Sequence, residues 1–200
     1  YSALHAYDVA EIDLASYNVI VIPDGADYGQ VLGDGGVGKV KAWVEAGGTL
    51  VLIKAAAEFL RAGEKPWLRS RRAKTKDLAA VRGAFVKLDA KSPVWLLHGA
   101  GPGPFIGQLR SDAPIECYAD REAGLNVLEI AKSGELRVSG HMDPAQIEAF
   151  QSRLFAGIER HGAGQVIIFT EDFLARGHMT GLVPMFVNAV MLGPTFRSGR

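Results

Sequence analysis

Gly47-Gly48-Thr49-Leu50-Val51-Leu52-Ile53-Lys54-Ala55-Ala56-Ala57-Glu58-Phe59-Leu60 decides the fold class. Thr49 to Ile53 is a short, continuous apolar and β-branched run, which suits a strand buried on both faces. The alanine-rich stretch from Ala55 to Ala62 reads as a helix. Strand passes into helix through one tight turn, the place where many α/β enzymes expose a nucleophilic Ser or Cys. Here the turn carries Lys54 and then three alanines. The scaffold of an elbow is present without its usual nucleophile.

Upstream, Asn18 to Ile22 is a second β-branched run, closed by Pro23-Asp24-Gly25, and reads as another strand buried on both faces. Gly29 to Gly38 reads as a glycine-rich loop. Val37 to Ala46 is helical, with Val40, Trp43 and Val44 on one face and Gly47-Gly48 as its stop. Strand, helix, strand, helix with short glycine turns predicts an α/β fold with a parallel sheet. Before it, Tyr1 to Asp8 reads as a short strand and Asp13 to Tyr17 as a turn or single helical turn.

Beyond Gly63 the texture changes. Residues 64 to 78 are polar and basic, and short strands are expected at Ala84–Leu88, Val94–Leu97, Ile115–Ala119, Asn126–Ala131 and Leu136–Val138. Residues 64–140 thus form a loop- and β-rich section. Asp143-Pro144-Ala145-Gln146 carries an N-cap Asp, Pro at N1 and Gln at N3, a strong helix start. Ile147, Phe150, Leu154 and Ile158 fit a helical stripe, yet Leu154, Ala156 and Ile158 also alternate. Gly157 would weaken a helix by about 1 kcal/mol, so a short helix to Phe150 and then a hairpin is preferred. The hairpin turn is His161-Gly162-Ala163-Gly164, and Gln165 to Thr170 is the return strand. An apolar helix from Leu182 to Leu192 closes the chain before Gly193-Pro194.

The 200 residues suit a single domain, 1–200. Its 22 basic and 22 acidic residues cancel, so net charge points to neither nucleic acid nor a membrane surface. No apolar run approaches the roughly 18 residues that span a bilayer. Cys117 is the single cysteine, which excludes an internal disulfide and cysteine-rich zinc sites. Its setting in Pro114-Ile115-Glu116-Cys117-Tyr118 reads as an inert, half-buried thiol.

This order of parts resembles the class I glutamine amidotransferase-like fold, a flavodoxin-like parallel sheet with a nucleophile elbow. More narrowly, the chain resembles the amidotransferase-like domain at the C-terminus of large bacterial zinc carboxypeptidases of the carboxypeptidase A type. The residues that carry the match run from Asp13 to Gly25, from Gly47 to Val51 and from Gly162 to Phe169, with Arg176-Gly177 and Phe186-Val187-Asn188-Ala189-Val190. It is weakest over 64–140. That fold normally opens with one more strand and helix, so the resemblance implies a fragment of a longer protein. Active relatives need a Cys at the elbow and a His after the late strand; here those places hold Lys54 and Thr170-Glu171-Asp172. The resemblance therefore implies a catalytically degenerate accessory domain, with the N-terminal peptidase domain of the same chain as partner. Zinc is expected in that peptidase domain and no cofactor in this one. It further implies a peptide substrate and a secreted or periplasmic setting; pairing with a second copy stays open.

Read on their own, the residues offer several sites. Lys54, near the positive end of the following helix, is a candidate Schiff-base nucleophile with Asp24 or Glu58 as partner. The alternative is that its stem covers the strand end and its head pairs with one of those carboxylates. His5, His98, His141, His161 and His178 show no zinc-protease spacing and read as loop or surface histidines. The run Arg61, Lys65, Arg69, Arg71, Arg72, Lys74 and Lys76 around Trp67 is either a docking patch for an acidic group or a solvated loop. Gly33 to Gly38 and Gly99 to Pro104 invite an anion-cradle reading, against plain flexible connections. Arg176 beside His178 is a candidate recognition pair at the rim of the cleft, or a structural ion pair. A sugar- or peptide-binding module using that cleft is the remaining alternative.

Overall fold

The computed structural model describes residues 1–91, 94–132 and 134–196. One mixed sheet runs through the molecule. Its strands are β1 (Val19–Ile22), β2 (Thr49–Ile53), β3 (Ala84–Ala90), β4 (Phe105–Leu109), β5 (Leu125–Ile130), β6 (Arg137–Ser139), β7 (Leu154–His161) and β8 (Gly164–Phe169). The order is β1-β2-β8-β7-β5-β3-β4, with β6 also paired to β3. β1, β2 and β8 are parallel, and every other pairing is antiparallel. The α/β class and the flavodoxin-like parallel core hold. The β-rich section extends the same sheet.

β2 explains why the core has two sides. All five of its residues are buried. Leu50 and Leu52 pack with Val40, Trp43 and Val44 of α1 (Tyr28–Glu45) and Leu60 of α2 (Glu58–Arg61). Val51 and Ile53 point the other way, into a cluster with Phe150 of α3 (Pro144–Phe150) and Met185 and Ala189 of α4 (Val183–Met191). Each fully buried Val, Leu, Ile, Phe or Met side chain among them contributes about 1.5–3 kcal/mol. Glycine permits the closest approach: a Cβ on Gly164 would collide with the backbone oxygens of Val44 and Gly48.

Several expected elements form as read. Asp143 caps α3 through a capping box with Gln146. The hairpin of β7 and β8 turns at His161–Gly164. Asp13 caps a 3-10 turn at Leu14–Ser16.

Other expectations are corrected. Tyr1–Asp8 is not a strand; it carries a 3-10 turn at Ala6–Asp8. β1 is the sheet edge, so its residues are half-buried except Ile22. Gly29–Gly38 is helical, because Leu32, Gly36 and Val40 bury along one face and packing overrides the poor propensity of glycine. Gly33 leaves the helical conformation at φ 61° and kinks α1 there. Gly33 to Gly38 therefore lies within α1 and is not a loop between elements. Val94–Leu97 contains a 3-10 turn, Trp95–Leu97, not a strand. Ile115–Ala119 is not a strand; only Ile115 bridges, to Arg72 and Leu154. β4, unread in the sequence, is flanked by the Gly/Pro cluster that disguised it; Gly107 within it makes room for Phe155.

Candidate functional site

The carboxyl ends of the three parallel strands meet at one place, where ligands bind in open α/β sheets. The register of β1 with β2 pairs Ile22 with Leu52, so Asp24 and Lys54 emerge level, each two residues further on. β8 pairs Phe169 with Ile53, which brings Thr170 and Glu171 alongside.

Lys54 stands in the left-handed region at φ 52°, as the first residue of a 3-10 turn (Lys54–Ala57) that follows β2 directly and leads into α2. A non-glycine residue there carries about 1–3 kcal/mol of strain and belongs to a sharp elbow. Asp24 secures it from two sides. Its Oδ1 accepts the Ala55 N–H at 3.2 Å, and its Oδ2 lies 3.2 Å from Lys54 Nζ. Both side chains are about 30% exposed, so the ion pair itself contributes at most about 1 kcal/mol.

Beside the elbow lies a cleft of about 230 Å³, lined among others by Lys54, Glu58, Arg61, Arg72, Arg110 and Asp112. The Glu58 carboxylate bridges the Arg61 guanidinium and Arg72 Nε, the latter at 3.1 Å. Arg61 is further held by the Ser70 carbonyl at 3.2 Å. Under the elbow, Glu171 is only 2% exposed. Burial pushes its carboxyl up to about 8, against the lowering effects of the Arg110 backbone N–H and the Lys54 charge.

A second polar cluster adjoins the cleft lining through Ser70, whose carbonyl and hydroxyl oxygens accept from Arg61. Glu159 of β7 is fully buried. Its oxygens accept the Arg69 N–H at 2.8 Å, the Ser70 N–H at 2.7 Å and the Tyr118 hydroxyl at 3.0 Å, and lie 3.0 Å from His161 Nε2. Burial alone would raise its pKa. The bonds from His161, Arg69, Ser70 and Tyr118 outweigh that and hold it below the usual glutamate value. Trp67 stacks on His161 with ring centroids 3.8 Å apart and donates Nε1–H to Glu45. The cluster fastens the basic segment to the sheet.

The structure thus sorts the residues singled out in the sequence. Lys54, Glu58 and Arg72 share the cleft, with Asp24 tied to Lys54. Arg69 is held by Glu159 and by the Arg160 carbonyl, at 2.8 Å, while Arg71 is exposed. Neither lines the cleft. Arg176, on a 3-10 turn (Ala175–Gly177) after β8, and His178, directly after that turn, are exposed and do not line the cleft either. His161 is not a surface histidine but a buried member of the Glu159 cluster. Cys117 is half-buried, donating to the Ser152 carbonyl at 3.4 Å, and burial pushes its thiol up to about 12. Sequence reading missed Glu159, Glu171 and Arg110. Glu159 and His161 do share one face of an apolar strand, a two-residue signal. Among the described residues no group of three His, Cys, Asp or Glu side chains is placed to hold a metal ion. Nor, among them, is any helix long and apolar enough to cross a membrane.

A left-handed elbow at the carboxyl ends of parallel strands, in a sheet covered on both faces, defines an α/β protein with a flavodoxin-like parallel core. Solved structures agree on the fold. A ThuA-like protein from Parabacteroides merdae matches 94% of this chain and 75% of its own at 11% identity, with a TM-score of 0.57. The cytoplasmic protein STM3548 from Salmonella typhimurium matches 94% of this chain and 78% of its own, at 16% identity and a TM-score of 0.56. A cold-adapted β-galactosidase from Rahnella matches 89% of this chain at 14% identity and a TM-score of 0.53, over 23% of its own length. No family model and no curated protein matches the chain.

Proposed function

We propose that this chain is a catalytically degenerate, amidotransferase-like accessory domain that packs on or positions substrate for a hydrolase domain of the same polypeptide. The observation that carries the reading is the elbow itself: its nucleophile position holds Lys54, and that amine is engaged by Asp24. The thiol of Cys117 is no substitute, since burial keeps it protonated. The β-galactosidase likeness gives a precedent of fold, because there the same architecture is one piece of a longer hydrolase chain.

The partner proposed is a zinc carboxypeptidase domain. Its support is the sequence resemblance alone, and none of the solved structures named above is a carboxypeptidase. Zinc would lie in that domain, and no step is assigned to it here. The test uses the complete natural polypeptide. It should release C-terminal residues from peptides in a chelator-sensitive reaction, and deletion of this domain should raise KM more than it lowers kcat. Chelator-resistant turnover, or none, would reject the peptidase link.

The alternative, an enzyme using Lys54 with Asp24 or Glu58, has one observation in its favour. A carboxyl titrating at about 8, Glu171, lies under the elbow, where a general acid would be useful. Turnover dependent on Lys54 would establish it.

A further inference from the structure

Two charged side chains of the elbow cleft stand without a fixed partner. Lys54 is held by Asp24, and Arg61 and Arg72 by Glu58. Arg110 and Asp112 also line the cleft, and both are exposed. Neither makes a side-chain hydrogen bond or ion pair among the described residues; the Arg110 charge acts on buried Glu171, whose own carboxyl is pushed up to about 8. They follow β4, with Ser111 and Ala113 of the same segment also on the wall. An unspent guanidinium suits a carboxylate, and an unspent carboxylate suits an ammonium group. Four cations and two acids line the cleft, so a polyanion would meet Glu58 and Asp112 as well as the basic groups. A molecule carrying one charge of each sign satisfies both ends.

We infer that the elbow cleft binds a small zwitterion, an amino acid or short peptide, with its carboxylate on Arg110 and its ammonium group on Asp112. The volume of about 230 Å³ suits a ligand of that size. Lys54 adds positive charge on the carboxylate side without leaving Asp24. This inference names a ligand class for the site of the accessory reading, but it needs neither the peptidase link nor an inert elbow.

The test is calorimetric titration of this chain at pH 7 and low salt with the dipeptide Ala-Ala, its C-terminal amide, N-acetyl-Ala-Ala and inorganic phosphate. Ala-Ala should bind saturably, and each blocked form at least about tenfold more weakly. Arg110→Gln and Asp112→Asn should each weaken Ala-Ala by about tenfold or more, while Arg121→Gln leaves it unchanged. Both variants alter exposed side chains, and cooperative unfolding confirms that each is folded. No saturable binding up to about 10 mM would overturn the inference. So would phosphate binding as tightly as the dipeptide, or an affinity indifferent to both variants. Release of free alanine during the titration is read separately. It would sink the accessory reading while leaving the ligand class intact.

Discussion

Lys54 Nζ lies 3.2 Å from Asp24 Oδ2, across the ends of two neighbouring parallel strands. The same carboxylate accepts the Ala55 N–H, so one aspartate fixes both the side chain and the backbone of the elbow. The backbone needs that support, because Lys54 sits at φ 52°.

Strain at Lys54 has a measurable consequence. Lys54→Ala keeps the left-handed conformation and loses the ion pair, whereas Lys54→Gly also relieves the conformation. Urea unfolding should show Lys54→Gly more stable than Lys54→Ala by about 1 kcal/mol. Equal stabilities would mean the elbow is unstrained.

Glu171 should shape the alkaline side of the stability profile. Its carboxyl is raised to about 8, above the ordinary value of an unfolded chain, so the folded state holds its proton longer. The contribution is therefore complete below about pH 4 and is lost progressively as pH rises to about 8. Glu171→Gln removes the titration. Relative to the parent, the variant should gain roughly 2–5 kcal/mol between pH 5 and pH 9 in denaturant midpoints. A parallel profile would refute the buried, protonated state.

Glu159 has the opposite sign. Its carboxylate is held below the usual value, so its stabilisation is present above about pH 4 and lost as pH falls through the lowered folded value. Glu159→Gln presents an amide to a set of donors and should cost about 2–4 kcal/mol at pH 7. Protease cleavage within residues 64–82 should then accelerate, because Arg69 and Ser70 lose their anchor. Unchanged cleavage would show that the segment is held elsewhere.

Cys117 should be a poor nucleophile. With its thiol raised to about 12, native-state reaction with iodoacetamide at pH 8 should be slower than that of free cysteine by on the order of a thousandfold. Unfolding in urea should restore the ordinary rate. Rapid native alkylation would contradict the burial of the group.

The parallel core was legible because buried strands and their glycine stops are local signals: Thr49 to Ile53 needs only its own five residues to be recognised. The capped start of α3 was legible for the same reason, since Asp143 and Gln146 satisfy each other across one turn. What stayed hidden depends on tertiary contacts. The glycines of α1 deny a helix by propensity, and only packing of Leu32, Gly36 and Val40 restores it. Val94–Leu97 has strand composition but sits under α4, where the Asn188 side chain caps the carbonyls of Leu96 and His98. In the site, Lys54 and its pairing choice were readable from the elbow. Arg110 and Asp112 were not, because they reach the cleft only through the antiparallel extension of the sheet.

The most direct test of the central claim is the steady-state kinetics of the complete natural polypeptide with Lys54→Gln. An accessory elbow predicts kcat within about twofold of the parent, with any change falling on KM. A fall in kcat of about a hundredfold or more would place the chemistry at Lys54 and contradict the account.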